Sequence, residues 1–367
     1  MSEISQTRTV TPTQLKKALR VAVRVNRPVM IYGQPGAGKS DIVSQVCDEY
    51  GGKLYDLRLG LCMPEDLRGL PFYNKDSGLM EYAPPIDLPT EEDAAKYPMV
   101  FLFLDEMNSA PPAVQGAAYQ LILNRKVGTY VLPDNVKINA AGNRENDRGV
   151  TYQTPKPLSN RFLNFELRVD FADWYEWALS NKIDPRVVGY LDFSKSSLND
   201  FDSKSQSRSF ATSRSWEFVS HIMGDTEVDT DTLMELVSSA VGEGQALKFM
   251  AHVKYAAKLP KPDDILSGKV KELTSKEISI TYTLITEINY ALKDMWDKVG
   301  KTKDEDKWHV AADNVLGFAM KNFSTEIQVL LLRTAMQQFK LPFTPKKLTN
   351  FKDYYEKVGK LIIKSVS

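Results

Sequence analysis

Eight residues, Gly33-Gln34-Pro35-Gly36-Ala37-Gly38-Lys39-Ser40, have the types and spacing to hold a polyphosphate. Gly33, Gly36 and Gly38 let the backbone curl until its N–H groups point inward at an anion. A helix opening at Lys39 adds the positive end of its dipole. In the pattern G-x-x-x-x-G-K-[ST] the lysine reaches the β- and γ-phosphates and the hydroxyl, here Ser40, holds Mg2+. Asp41 closes the nucleotide-binding segment. The pattern carries weight only between a strand and a helix. Here the apolar run Val29-Met30-Ile31-Tyr32 precedes it and Asp41-Ile42-Val43-Ser44-Gln45-Val46 follows, so the segment reads as a site for a nucleoside triphosphate.

Two further stretches place complementary groups. Met99-Val100-Phe101-Leu102-Phe103-Leu104 is a continuous apolar run ending in Asp105-Glu106, which predicts a strand buried on both faces with acids at its carboxyl end. Ligands of open α/β sheets bind at such ends. Asp105 is suited to hold Mg2+ through water and Glu106 to polarise the attacking water. Val136-Lys137-Ile138-Asn139-Ala140-Ala141 reads as another core strand, and Asn143 just beyond it is placed to orient that water or touch the γ-phosphate.

The elements that must position these groups are legible in turn. Thr11-Pro12-Thr13-Gln14 has the capping box and first-position proline of a helix start, and Leu15, Leu19, Ala22 and Val23 continue it as an amphipathic helix. Lys53-Leu54-Tyr55-Asp56-Leu57 predicts a second strand. Residues 63–89 form a Pro-, Gly- and Asp-rich insertion with a short helix at 63–67 and a small strand at 78–82. A helix is expected over 113–123, capped by Ser109 or Ala110. A hairpin over 126–141 is expected to turn at Asp134-Asn135, and a fifth strand over 163–169. Alternating strand and helix patterns with short connections argue an α/β sheet. Residues 195–209, rich in Ser and Asp, read as an irregular mobile loop, and 302–307 as an exposed charged connection. Further helices are expected from 278 onward, with Trp296, Trp308, Met295 and Met320 in their cores.

Composition narrows the class. The 367 residues allow two domains, and 47 basic against 47 acidic residues leave no net field towards nucleic acid or an anionic membrane. Cys47 and Cys62 form no metal-spaced set, and His221, His252 and His309 are isolated. No apolar run approaches a membrane span, and the polar start does not read as a signal peptide. A cytoplasmic protein is expected.

Together, residues 33–40, Leu104-Asp105-Glu106-Met107-Asn108, Ala141-Gly142-Asn143 and Leu158-Ser159-Asn160-Arg161-Phe162 resemble, in order and separation, the MoxR branch of AAA+ ATPases over roughly the first 220 residues. The resemblance implies an α/β AAA+ P-loop core with a central parallel sheet of five strands over 1–170, an α-helical lid over 171–242 and an α-helical C-terminal accessory region over 243–367. It implies that Gly33, Gln34, Pro35, Gly36, Ala37, Gly38, Lys39, Ser40 and Asp41 bind ATP and that Ser40 and Asp105 hold Mg2+. Glu106 would be the catalytic carboxylate, Asn143 sensor 1 and Arg161 the arginine finger acting on a neighbouring subunit. Arg214 would be sensor 2, with Arg208 as runner-up. Asn160 stands where the family usually has Asp, and Arg144 and Arg148 compete with Arg161 for the trans role. The insertion at 63–89 and the hairpin around Asp134-Asn135 would face a central pore. The resemblance further implies a hexameric ring that hydrolyses ATP to remodel a partner protein, the partner class carrying a von Willebrand factor A domain. The alternative is a nucleic-acid motor similar to the McrB-type NTPases or helicase loaders; neutral charge and no DNA-binding module weigh against it. A third, a nucleotide-gated scaffold without turnover, sits poorly with an intact Glu106.

Overall fold

A computed structural model describes residues 8–127, 130–144, 147, 152, 156–274, 277–300 and 304–364. The chain divides into two compact units. The first comprises Met1–Asp173, Phe201–Gln206 and Thr212–Arg214; the second comprises Trp174–Asp200, Ser207–Ala211 and Ser215–Ser367.

The first unit is built on a parallel sheet. In chain order its elements are β1 (Thr9–Val10), α1 (Pro12–Arg24), β2 (Val29–Tyr32), α2 (Lys39–Glu49), β3 (Lys53–Arg58), α3 (Pro64–Arg68), β4 (Leu70–Asn74), β5 (Leu79–Ala83) and α4 (Glu91–Lys96). Then come β6 (Val100–Asp105), α5 (Pro112–Asn124), β7 (Lys126–Val127), β8 (Tyr130–Val131), β9 (Val136–Gly142), α6 (Lys156–Ser159) and β10 (Leu163–Leu167). The sheet order is β1-β10-β2-β9-β6-β3, every pairing parallel. Six strands stand where five were expected: β1 pairs Thr9 with Glu166 and Val10 with Leu167, and two residues are too short to show a period.

The period-2 alternation explains why the β6 run is apolar throughout. Val100, Leu102 and Leu104 enter one core with Val114, Ala117, Ala118 and Leu121 of α5. Phe101 and Phe103 enter the other, with Leu15 and Leu19 of α1 and Ile42, Val43 and Val46 of α2. Helices thus cover both faces, as a parallel sheet requires. The capping box of α1 forms as read: Gln14 N donates to Thr11 Oγ1 and Thr11 N to Gln14 Oε1.

Two local readings are corrected, and a third is extended. The hairpin pairs Lys126 with Val131 and Val127 with Tyr130, so its turn falls at 128–129, outside the described residues. Asp134-Asn135 does form a turn, closed by Val136 N donating to Pro133 O, but it leads into the parallel strand β9 rather than back along β8; Asn135 Nδ2 donates to the carbonyls of Ala94 and Tyr97. The cap of α5 is Pro111, with Pro112 at its first position, rather than Ser109 or Ala110. The small strand of the insertion pairs with a second one, β4, and this ribbon leaves Leu70, Tyr73, Leu79 and Met80 exposed.

The second unit is helical. It holds most of α7 (Phe171–Ser180), α8 (Pro185–Phe193), most of α9 (Ser213–Met223), α10 (Thr230–Val241), α11 (Glu243–Ala256) and α12 (Pro262–Leu266). α13 (Ile278–Val299), α14 (Glu305–Asn322), α15 (Thr325–Arg333) and α16 (Phe351–Lys364) complete it, with a π-helical turn at Thr334–Gln338. α13 keeps its helix despite Thr and Ile because Ile280, Leu284, Ile285 and Ile288 bury one face of it, while Thr281 and Thr286 satisfy their hydroxyls on the carbonyls four residues back. Trp308 is fully buried, with Met295, Trp296 and Met320 packed against its cluster. The stretch read as an irregular loop contains a 3-10 turn, Lys195–Leu198, whose Ser197 and Leu198 are buried; Trp216 Nε1 donates to Ser197 O. Composition missed it because the anchor is a distant indole. Glu305 to Lys307 already belong to α14 rather than to a connection.

Candidate functional site

The glycine-rich segment leaves the end of β2 and enters α2. Gly36 and Gly38 adopt φ of +72° and +82°, the left-handed region that glycine enters without strain. Gly38 is the N-cap of α2, and no side chain caps that terminus, which leaves its first N–H groups to be met by a ligand or water. Lys39 Nζ turns back over the loop, donating to Gly33 O at 2.8 Å, Gln34 O at 3.1 Å and Asn143 Oδ1 at 3.3 Å. Burial strips it of water and pulls its pKa down to about 8. Asp105 and Asp147 oppose that shift, and the charges of Arg214 and Arg144 add to it.

The carboxyl ends of three adjacent strands meet here, β2, β9 and β6. From β6, Asp105 Oδ2 accepts from Ser40 Oγ at 3.2 Å, and Asp105 Oδ1 from Glu106 N at 2.8 Å. Glu106 itself is exposed, at φ +55°, a conformation uncommon for a side-chain-bearing residue. From β9, Asn143 is held at its backbone: its N–H donates to Asn108 Oδ1 at 3.2 Å, and Asn108 Nδ2 donates to its carbonyl at 2.7 Å. Asn108 is buried, and a Cβ on Gly142 would collide with its Oδ1. Glycine at 142 is required by this close approach.

The arginines separate by position. Arg214, on the first turn of α9, lies within the first unit and close enough to influence Lys39 electrostatically. Its neighbour Thr212 packs on the loop: a Cβ at Gly36 would come 2.9 Å from Thr212 Cβ. Arg208 belongs to the second unit. Arg161 is exposed between buried Leu158 and Phe162. Because Leu163 pairs with Val29 in parallel register, Arg161 precedes the start of its strand while the glycine-rich loop follows the end of β2. The length of β2, about 13 Å at ~3.3 Å per residue, separates the two. Arg144 lies beside the loop of its own chain, with Nη2 at 3.3 Å from Gln34 Oε1. Arg148 falls outside the described residues. Asp41 is exposed in the first turn of α2, at the N-terminal end where a carboxylate complements the dipole.

The donor set fits a triphosphate and a hard cation. Inward backbone N–H groups and a desolvated ammonium suit the phosphates, while a hydroxyl and a carboxylate 3.2 Å apart suit Mg2+. Among the described residues no group of three or more His, Cys, Asp or Glu could hold a metal by itself. Sequence reasoning passed over Asn108, Asp147 and Thr212. Asn108 stood inside a quoted motif, but its partner lies 35 positions away.

No family model matches the chain. Among curated proteins it is similar to Midasin of Giardia intestinalis, 26% identical over 258 residues, which are 67% of this chain and 5% of that protein. The chain therefore spans about one twentieth of that relative's length. Among solved structures it is similar to NtrX of Brucella abortus in complex with ATP, at a TM-score of 0.38 and 14% identity, covering 82% of this chain and 67% of that one. It is similar also to a mutant of RuvB of Thermotoga maritima, at a TM-score of 0.34 and 14% identity, covering 82% and 88%. The strand β2, the glycine-rich loop and the helix α2, set in a parallel sheet, form a P-loop arrangement by their own geometry. No described helix is long and apolar enough to cross a membrane.

Proposed function

We propose that this chain is a Mg-dependent AAA+ ATPase of MoxR-like type that works in a hexameric ring and remodels a partner protein. One observation carries the reading: Ser40 Oγ donates to Asp105 Oδ2 at the foot of a loop whose half-buried lysine folds back over it. In this reading the loop N–H groups and Lys39 hold the β- and γ-phosphates, and Ser40 and Asp105 hold Mg2+. A bound metal would supply charge neutralisation at the phosphate oxygens. Glu106 accepts a proton from the attacking water, and Asn143, fixed through Asn108, orients that water. Arg214 serves in cis as sensor 2, and the residues from 171 to 242 serve as the lid. Arg161 lies at the far end of β2 from its own loop and serves the adjacent subunit, stabilising charge that develops on the γ-phosphoryl group. The exposed apolar ribbon β4–β5 supports contact with a protein, and a partner with a von Willebrand factor A domain is the class the family resemblance implies.

The test is turnover of the purified protein with ATP and with GTP, alone and with single- or double-stranded DNA, with assembly mass recorded in the same samples. The expected result is ATP-preferring turnover that tracks ring formation and ignores DNA. Strong stimulation by DNA would replace this reading with a nucleic-acid motor. Glu106→Gln should bind ATP with wild-type affinity and lose turnover by at least about 100-fold. Arg161→Ala should be inactive alone but recover activity when mixed with Glu106→Gln, because each defect lies on a different side of the shared site.

A further inference from the structure

We propose that Arg144 acts within its own subunit as a positioning residue for the glycine-rich loop, holding Gln34 and through it the carbonyl that anchors Lys39. The assignment rests on reading residues 33–40 as the nucleotide loop.

Arg144 follows Asn143 off the end of β9, the strand that lies directly beside β2. Three groups of its own chain surround its guanidinium. Nε donates to both oxygens of Asp147 at 3.2 and 3.1 Å, and Nη2 donates to Asp147 Oδ1 at 3.0 Å. Nη1 lies 3.6 Å from Glu166 Oε1, on the strand at the other side of β2. Nη2 also donates to Gln34 Oε1 at 3.3 Å. The anchor is firm: the Asp147 side chain is only 4% exposed, and its Oδ2 also accepts from Arg144 N at 3.2 Å. Gln34 is buried, and its own carbonyl receives Lys39 Nζ at 3.1 Å. Contact therefore runs from Asp147 through Arg144 to Gln34 and on to Lys39.

The planar fork matters. A guanidinium can bind a carboxylate along one edge while one of the same nitrogens reaches an amide oxygen; an ammonium on a flexible stem has one point of attachment to share. A residue committed in three directions inside one subunit is poorly placed to serve a neighbour, which removes Arg144 from competition with Arg161. The bland alternative is an ion pair that only closes the turn at 144–147. It predicts lower stability with no specific effect on nucleotide binding.

A double-mutant cycle separates these. KM for ATP and kcat are measured in the full-length protein for wild type, Arg144→Ala, Gln34→Ala and the double variant, with thermal melting of each. Arg144→Lys serves as the variant that keeps charge and size should alanine fail to fold. The expected result is an approximately tenfold rise in KM in each single variant with a smaller change in kcat. The double variant should be no worse than either single, because both remove one linkage. Arg144→Lys should recover little of the lost affinity, and mixing Arg144→Ala with Glu106→Gln should leave the KM for ATP raised, with no recovery towards wild type. Additive effects of Arg144→Ala and Gln34→Ala, an unchanged KM, or recovery in that mixture would each overturn the assignment. A wild-type protein that binds no ATP would overturn the premise instead, whatever the variants do.

Discussion

At the scale of the residue, the site is an electrostatic arrangement centred on Lys39. Its pKa near 8 means that the free protein already sheds the ammonium just above neutrality, because burial disfavours the charged form. In the proposed function phosphate binding needs that charge. ATP affinity should therefore fall by roughly tenfold per pH unit above about 8, and nucleotide titrations between pH 7 and pH 9.5 would read it. A flat profile would remove Lys39 from the phosphates. The stability effect has the opposite sense. The folded pKa lies below the ordinary 10.5, so the unfolded chain binds this proton more tightly, and the free protein's stability should rise with pH between about 8 and 10.5. Lys39→Ala should abolish nucleotide binding without lowering stability, since it removes a desolvated charge.

At the scale of the element, the carboxyl ends of β2, β9 and β6 deliver the loop, Asn143 and the Asp105-Glu106 pair to one place. Their register depends on close contact between β9 and the segment after β6, where Met107 N donates to Ala141 O and Asn108 clasps Asn143. Gly142→Ala drives a methyl into Asn108 and should cost about 1–3 kcal/mol in urea denaturation, with turnover falling along with it. The ribbon β4–β5 gives a contrasting expectation. Leu70, Tyr73 and Met80 are 65%, 60% and 61% exposed, so a triple change to serine should alter stability by no more than about 0.5 kcal/mol per site while still improving solubility. A large loss of stability would mean that the ribbon packs on something in the free protein.

At the scale of the whole molecule, the helical unit carries its own pH dependence. Glu287 on α13 is held near 7, first by burial and then by the Asp184 carboxylate, against the opposing charge of Arg186. The folded pKa exceeds the unfolded value of 4.5, so its favourable contribution is complete below about 4.5 and is lost as pH rises through about 7. Glu287→Gln, which cannot ionise, should stabilise the protein by on the order of 1–3 kcal/mol at pH 8 and by less than about 1 kcal/mol at pH 5. Melting curves of both proteins at the two pH values would decide it; equal gains at both would show that burial of the charge is not the cause.

Most of the first unit was legible because its signals are local. A loop of fixed glycine spacing, an apolar run ending in two acids and a capping box each act within a few residues, so the chain alone specified their types, while the strand order was decided by pairing. What lies outside that reach depends on partners far along the chain. The edge strand Thr9–Val10 exists only because β10 offers it a ladder, and the turn at Lys195–Leu198 is held by Trp216. The hairpin was misplaced because Asp134-Asn135 has good turn chemistry, whereas the pull of two neighbouring strands on β9 decided the pairing. The same division runs through the site. Lys39, Ser40, Asp105 and Glu106 follow from residue types at fixed spacing; Asn108 and Arg144 acquire their partners only when β9 is laid between β2 and β6. Chemistry carried by backbone and motif is written locally, while the orientation of side chains across strands belongs to the tertiary structure, because only packing brings those groups within hydrogen-bonding distance.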